Sequence, residues 1–212
     1  MAQSSSRLQA LHRELDACRA CPQMTGPVVR GEAISTRVLL VGQAPGPHEG
    51  QLGRPFAWTA GKTMFRWFES SVGLSERDFR RTVYMAAVAR CFPGKAKGGG
   101  DRRPAPEEIS RCRPFLEREV ALLRPKLVIP VGTLAIEQVL GHKGPLVDVV
   151  GRAVRARYHG VEMDAVCLPH PSGASTWHRV EPGKALLARA LALLRAHPEI
   201  RAILSRVQAL PG

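Results

Sequence analysis

Four of the five cysteines stand in a pattern that could hold a metal. Cys18 and Cys21 form a C-x2-C pair, Cys91 follows after 69 residues and Cys112 after a further 20. A short chelating pair with two distant thiolates is a usual economy of four-thiolate sites, in which the fold carries the far ligands to the near pair. Spacing alone leaves zinc, an iron–sulfur cluster and unconnected core thiols all open. Thioredoxin-like redox chemistry is a poor fit, because its cysteine pair follows a strand and this one precedes the first strand-like segment. Cys167 lies within an apolar run and reads as a buried thiol.

Two loops and one cationic segment complete the chemistry-bearing residues. The first loop runs from Gly42 through Gln43, Ala44, His48 and Glu49 to Gly50, and the second holds His170, Pro171 and Ser172. A lone histidine is more often structural, but His170 is followed by proline, serine and glycine directly after a strand-like run, which favours function. Between Cys91 and Cys112, Lys95, Lys97, Arg102 and Arg103 surround Gly98, Gly99 and Gly100. Such a segment suits DNA phosphates, with an ordinary solvated basic loop as the plainer reading. Gly42, Gly46 and Gly50 recur every four residues and match neither the dinucleotide nor the P-loop fingerprint.

The elements that must position these residues alternate. Leu8, Leu11, Leu15 and Cys18 share a helical face, and that helix is expected to stop near Cys21 and Pro22. Short apolar runs at 37–41, 82–89 and 127–131 read as buried strands, and 153–167 as two strands turning at His159 and Gly160. Helices are expected over 60–72, from Pro106 to about Leu123, over Leu134–Leu140 and over 183–197, the first turn of the second favoured by Pro106, Glu107 and Glu108. The tail beyond Pro198 has no assigned structure. Alternation of strand and helix predicts a single α/β domain over residues 1–212, an α/β/α sandwich with a mostly parallel central sheet and its site at the carboxyl ends of the strands.

Lys and Arg number 31 against 18 acidic residues, a formal charge of +13. That surplus suits a polyanionic partner, nucleic acid first, although a generally basic proteome would produce it too. No apolar run approaches the roughly 20 residues of a membrane span, and the serine-rich start is unlike a signal peptide, so the expected place is a reducing cytoplasm, on the nucleoid, without a membrane partner.

Gly42-Gln43-Ala44-Pro45-Gly46 with Glu49 and Gly53-Arg54-Pro55-Phe56 resembles the first motif of the iron–sulfur uracil-DNA glycosylases of families four and five. Ala86-Ala87-Val88-Ala89-Arg90-Cys91, the segment from Pro106 to Leu116, Gly132-Thr133-Leu134-Ala135 and His170-Pro171-Ser172 follow in the order of those families. The resemblance implies a monofunctional DNA-repair hydrolase of base excision repair, cleaving the N-glycosidic bond of uracil in DNA and leaving an abasic site. It implies a structural [4Fe–4S] cluster on Cys18, Cys21, Cys91 and Cys112. Phe56 would stack on the extruded base, with Gly42, Gln43, Ala44 and Ala87 lining its pocket. His170 would donate to the uracil carbonyl as negative charge builds on the departing base. Arg54, Pro171, Ser172 and the cations Lys95, Lys97, Arg102 and Arg103 would meet the DNA backbone.

The chain also departs from that pattern. Ala44 stands where family one has the water-orienting aspartate, and Ala87 where family four has asparagine. Glu49, with His48 second, is then the carboxylate expected to position water or support the sugar cation. Loss of the asparagine predicts relaxed specificity that extends to other deaminated or modified bases. The relatives that trap uracil covalently carry a histidine after the third cysteine, and residues 92–101 hold none. A noncatalytic sensor of damaged DNA is the alternative, and no lysine is placed by a motif for strand cleavage.

Overall fold

The computed structural model describes residues 2–209, so Met1 and residues 210–212 of the expected domain lie outside the described residues. Helix α1 (Ala2–Asp16) leads into β1 (Val38–Gly42), followed by α2 (Glu49–Leu52), α3 (Thr59–Trp67), α4 (Glu76–Thr82) and β2 (Tyr84–Ala87). The second half continues with α5 (Pro106–Leu123), β3 (Leu127–Pro130), α6 (Thr133–Leu140), the hairpin β4 (Ala153–Tyr158) and β5 (Val161–Val166), then α7 (Gly183–Ala196) and α8 (Pro198–Gln208).

The five strands form one sheet in the order β2-β1-β3-β5-β4. Neighbours are parallel across β2, β1, β3 and β5, and only β4 runs antiparallel, at the edge. Alternation along β1 shows that both faces are covered. Val38 and Leu40 join Met64, Phe68, Phe79, Leu191 and Ile203 on one side, whereas Leu39 and Val41 join Leu8, Leu116, Val120 and Leu134 on the other. A strand buried on both faces has no polar positions, which is why β1 and β3 are apolar throughout. The expected three-layer α/β arrangement is therefore present.

Several boundaries differ from expectation. Helix α1 ends at Asp16, so Cys18 lies beyond the helix and not on its face. Arg19 is the physical reason: its Nη1 donates to the carbonyls of Asp16 (2.8 Å) and Cys18 (2.7 Å), closing the helix end before the cysteine pair. The second strand is shorter than 82–89, because Thr82 belongs to α4, an element the sequence reading missed although Ser75 caps it by accepting from the Asp78 amide at 3.2 Å. The stretch expected as one helix over 60–72 is α3 followed by a π turn at Phe68–Val72. Beyond Pro198 the chain forms α8, opened by Pro198 in its first turn.

Candidate active site

The carboxyl ends of β1, β2 and β3 and the loop beyond β5 surround a cavity of about 530 Å³, a volume suited to a small molecule or a single base. Gly42, Gln43, Ala44, Glu49, Phe56, Ala87, Gly132 and His170 line it. This is the crevice where a sheet whose strand order reverses beside β1 is expected to hold a ligand. A second cleft of about 460 Å³ lies at the opposite end of the strands, lined by Arg37, Arg124, Lys126, Arg155 and Arg157. Beside these cations it holds Glu162 but no histidine or aromatic side chain, so the chemistry points to the first.

Phe56 is held in a conformation it would not choose. Its φ of 53° lies in the left-handed region, which costs a residue with a Cβ about 1–2 kcal/mol. Three contacts impose it. Arg80 donates to the carbonyls of Pro55 (2.9 Å) and Phe56 (3.1 Å), Glu49 Oε1 accepts from the Ala57 amide (3.0 Å), and Gly61 lies so close that a Cβ there would stand 1.7 Å from the Phe56 carbonyl oxygen. The ring lies over Gly42, where any side chain would meet it at 3.2 Å. An aromatic face is thereby fixed on the cavity wall.

Glu49 is buried, and both of its oxygens are used. Oε2 accepts from the Gly46 amide at 2.7 Å and Oε1 from Ala57. Burial pushes its carboxyl above the usual range, with those amides and Arg80 working against the shift. His48 stacks on Trp58 with ring centroids 4.5 Å apart, and the exposed Trp58 extends the cavity rim. Trp58 was not singled out from the sequence, where an exposed tryptophan looks like a core one.

His170 has its tautomer set by the backbone. Nδ1 accepts from the Ser172 amide at 3.2 Å, so the ring proton belongs on Nε2. Burial holds the imidazole below its usual pKa, with Asp101 opposing the shift and His178 adding to it. The result is a neutral ring with one N–H to donate. Its Cδ2 and Cβ lie 3.2 and 3.3 Å from where a Cβ on Gly132 would stand. Ser172 lines the cavity, whereas Pro171 is buried and does not line it.

Asp101 also lines the cavity, and sequence reasoning passed over it inside its glycine-rich loop. Lys95 pairs with its Oδ1 at 2.6 Å, and the two residues form an antiparallel bridge that closes the loop. Of the other cations named from the sequence, Arg102 grips both oxygens of Glu108 at 2.8 Å and Arg103 pairs with Glu137. Lys97 is exposed, and so is Arg54.

The structure brings the four cysteines Cys18, Cys21, Cys91 and Cys112 together. Burial first, then the charges of Cys112, Cys21 and Cys18, push the Cys91 thiol up to about 11. The cysteine-pair loop is fastened to the segment after β2 by Thr25 and Phe92, which exchange hydrogen bonds of 2.8 and 2.9 Å. Cys112 comes from α5. Among the described residues no group of three or more His, Cys, Asp or Glu side chains is placed to hold a single metal ion. Arg90 and Arg111 place cationic charge beside Cys112 and Cys21, an environment that suits thiolates. Cys167 is buried apart, as expected.

Residues 29–195 match the family model described as the uracil DNA glycosylase superfamily. Among curated proteins, the chain is similar to a Type-4 uracil-DNA glycosylase of Pyrobaculum aerophilum, 31% identical over 78% of this chain and 83% of that one. A Type-4 uracil-DNA glycosylase of Sulfurisphaera tokodaii is 28% identical over 79% and 75%. A Type-5 uracil-DNA glycosylase of Thermus thermophilus is 31% identical over 64% and 73%.

Proposed function

Since the chain belongs to the uracil DNA glycosylase superfamily, we propose that it removes uracil from DNA by hydrolysing the N-glycosidic bond, leaving an abasic site. The observation that carries this reading is His170, a half-buried neutral imidazole whose one N–H is directed by its own backbone neighbour. As the bond breaks, negative charge gathers on the leaving base, and a fixed N–H donor stabilises that charge more than it stabilises the intact nucleotide.

The other residues take supporting parts. Phe56 offers its face to the extruded pyrimidine, and Gly42, Gln43 and Ala44 form the floor beside it. Ala87, at the end of β2, presents no polar group to the base edge, which supports acceptance of other deaminated or modified bases. Lys95, Lys97 and Arg54, with Ser172, face the phosphates. Cys18, Cys21, Cys91 and Cys112 would hold a [4Fe–4S] cluster. The cluster's contribution when bound is structural, neutralising four thiolates and fixing both ends of the 92–111 loop. Among the described residues no helix is long and apolar enough to cross a membrane, and a DNA substrate goes with work in the cytoplasm at the nucleoid. Nothing in the site or in the relatives' names favours the noncatalytic sensor.

The test is release of uracil from single- and double-stranded oligonucleotides at fixed salt. Wild type is expected to release it, and His170→Ala to fall by about 100-fold or more, the scale of one lost oxyanion donor. Equal release by His170→Ala would remove His170 from the chemistry, and no release by wild type would overturn the reading itself.

A further inference from the structure

A glycosylase that carries Ala44 lacks the water-orienting carboxylate that family one has at that position, and the cavity offers another carboxylate from a different element. Resting on the glycosylase reading, we propose that Asp101 is the catalytic carboxylate that orients the attacking water and faces the positive sugar.

Three observations place it there. Asp101 Oδ2 lies 3.5 Å from where a Cβ on Gly46 would stand, within the same cavity wall as Gly42, Phe56 and His170. Its other oxygen, Oδ1, is held by Lys95 Nζ at 2.6 Å, and the bridge between Lys95 and Asp101 fixes the backbone on both sides of the turn. One oxygen is thus anchored and the other is turned to the space above Gly46. Asp101 and His170 line the same cavity, and the Asp101 charge opposes the downward shift at His170.

The competing carboxylate is already occupied. Glu49 gives one oxygen to the Gly46 amide and the other to the Ala57 amide, and so holds the loop beneath Asp101 to the turn that carries Phe56. Glu49 is a positioning residue in this scheme.

The step balances with water alone. The C1′–N bond breaks with its electron pair leaving on the base, whose anion accepts a hydrogen bond from His170 Nε2. A water held by Asp101 Oδ2 donates its oxygen lone pair to C1′ and its proton to the carboxylate, which then returns that proton to the departing base or to solvent. Lys95 holds Asp101 at the cavity edge through its contact with Oδ1.

The experiment compares holoprotein wild type, Asp101→Asn, Asp101→Ala and Glu49→Gln in single-turnover uracil release. Affinity is measured in parallel for an oligonucleotide carrying a non-hydrolysable uracil nucleotide, and the cysteine-bound chromophore is followed by visible absorbance as a check on folding. Asp101→Asn is expected to lower the rate by about 100-fold, within the range for a removed general base, with affinity within about threefold and absorbance unchanged. Lys95→Met is expected to lower the rate about tenfold by loosening the carboxylate. A rate for Asp101→Asn within about threefold of wild type would overturn the proposal. So would a loss of affinity equal to the loss of rate, which would make Asp101 a binding residue. No release by wild type would instead overturn the glycosylase reading, and this proposal with it.

Discussion

Gly132 shows how much of the site rests on a residue that has no side chain. It adopts φ 85° and ψ 164°, a region open to glycine alone, and the His170 ring occupies the space a Cβ would need. Gly132→Ala is therefore expected to cost about 1–3 kcal/mol of stability and to displace the imidazole. Single-turnover release should fall at least tenfold while affinity for uracil-containing DNA changes little, because the donor is misplaced and the pocket is not. Kinetics and a denaturant titration of the same variant check both parts. The sequence made His170 and Phe56 readable, since each stands in an ordered motif. Asp101 was not readable. It sits after three glycines in a stretch that resembles any solvated loop, and only its pairing with Lys95 brings this exposed side chain to the edge of the cavity. Glu49 was named for its residue type, yet its hydrogen bonds to Gly46 and Ala57 are matters of three-dimensional closure that no spacing reveals.

Among the elements, α1, β2 and α5 are joined by a buried polar chain. His12 Nε2 lies 2.7 Å from the Tyr84 hydroxyl, Tyr84 donates to Glu119 Oε1 at 2.8 Å, and Glu119 Oε2 pairs with Arg90. Because Tyr84 gives its one proton to Glu119, His12 must donate, and its Nδ1 is left buried without a hydrogen-bond partner. Burial first, then Arg30 and Arg90, hold His12 down at about 4, with Glu119 and Asp16 opposing. Its folded value lies below the unfolded one of about 6.5, so the unfolded chain takes up the proton first. Stability from this residue is fully present above pH 6.5, is lost as pH falls from there towards 4, and is level below that. Urea titrations between pH 7 and 4 should show that decline, and His12→Phe should flatten it. Strands β1 and β3, the hairpin and α5 were legible because period, length and turn chemistry agreed. The end of α1 was not, because a guanidinium three residues beyond Asp16, and not the helical pattern, decides where it stops. Helix α4 was missed for its length of seven residues, too short for periodicity to speak.

For the whole molecule, the surplus of +13 is not gathered at the cavity. Arg102 and Arg103 are spent on Glu108 and Glu137, and the arginines of the second cleft face away from the cavity. Binding to a short uracil-containing duplex is therefore expected to weaken with salt in proportion to the few cations near the cavity. Lys97→Ala should lower the logarithmic salt slope by about 0.9, the value of one phosphate contact, whereas Arg37→Gln with Arg157→Gln should leave it unchanged. Titrations at three salt concentrations decide it. The overall α/β architecture was legible from alternation alone, while the distribution of charge between two ends of one sheet was not, because the cations of the second cleft come from segments far apart in sequence.

The backbone of Phe56 is held left-handed by contacts within the chain itself, from Arg80, Glu49 and Gly61. A slot that is already shaped need not pry; it can patrol a duplex and catch whichever nucleotide has swung out by thermal breathing. Loosely paired sites, which open most often, are the ones such a slot favours.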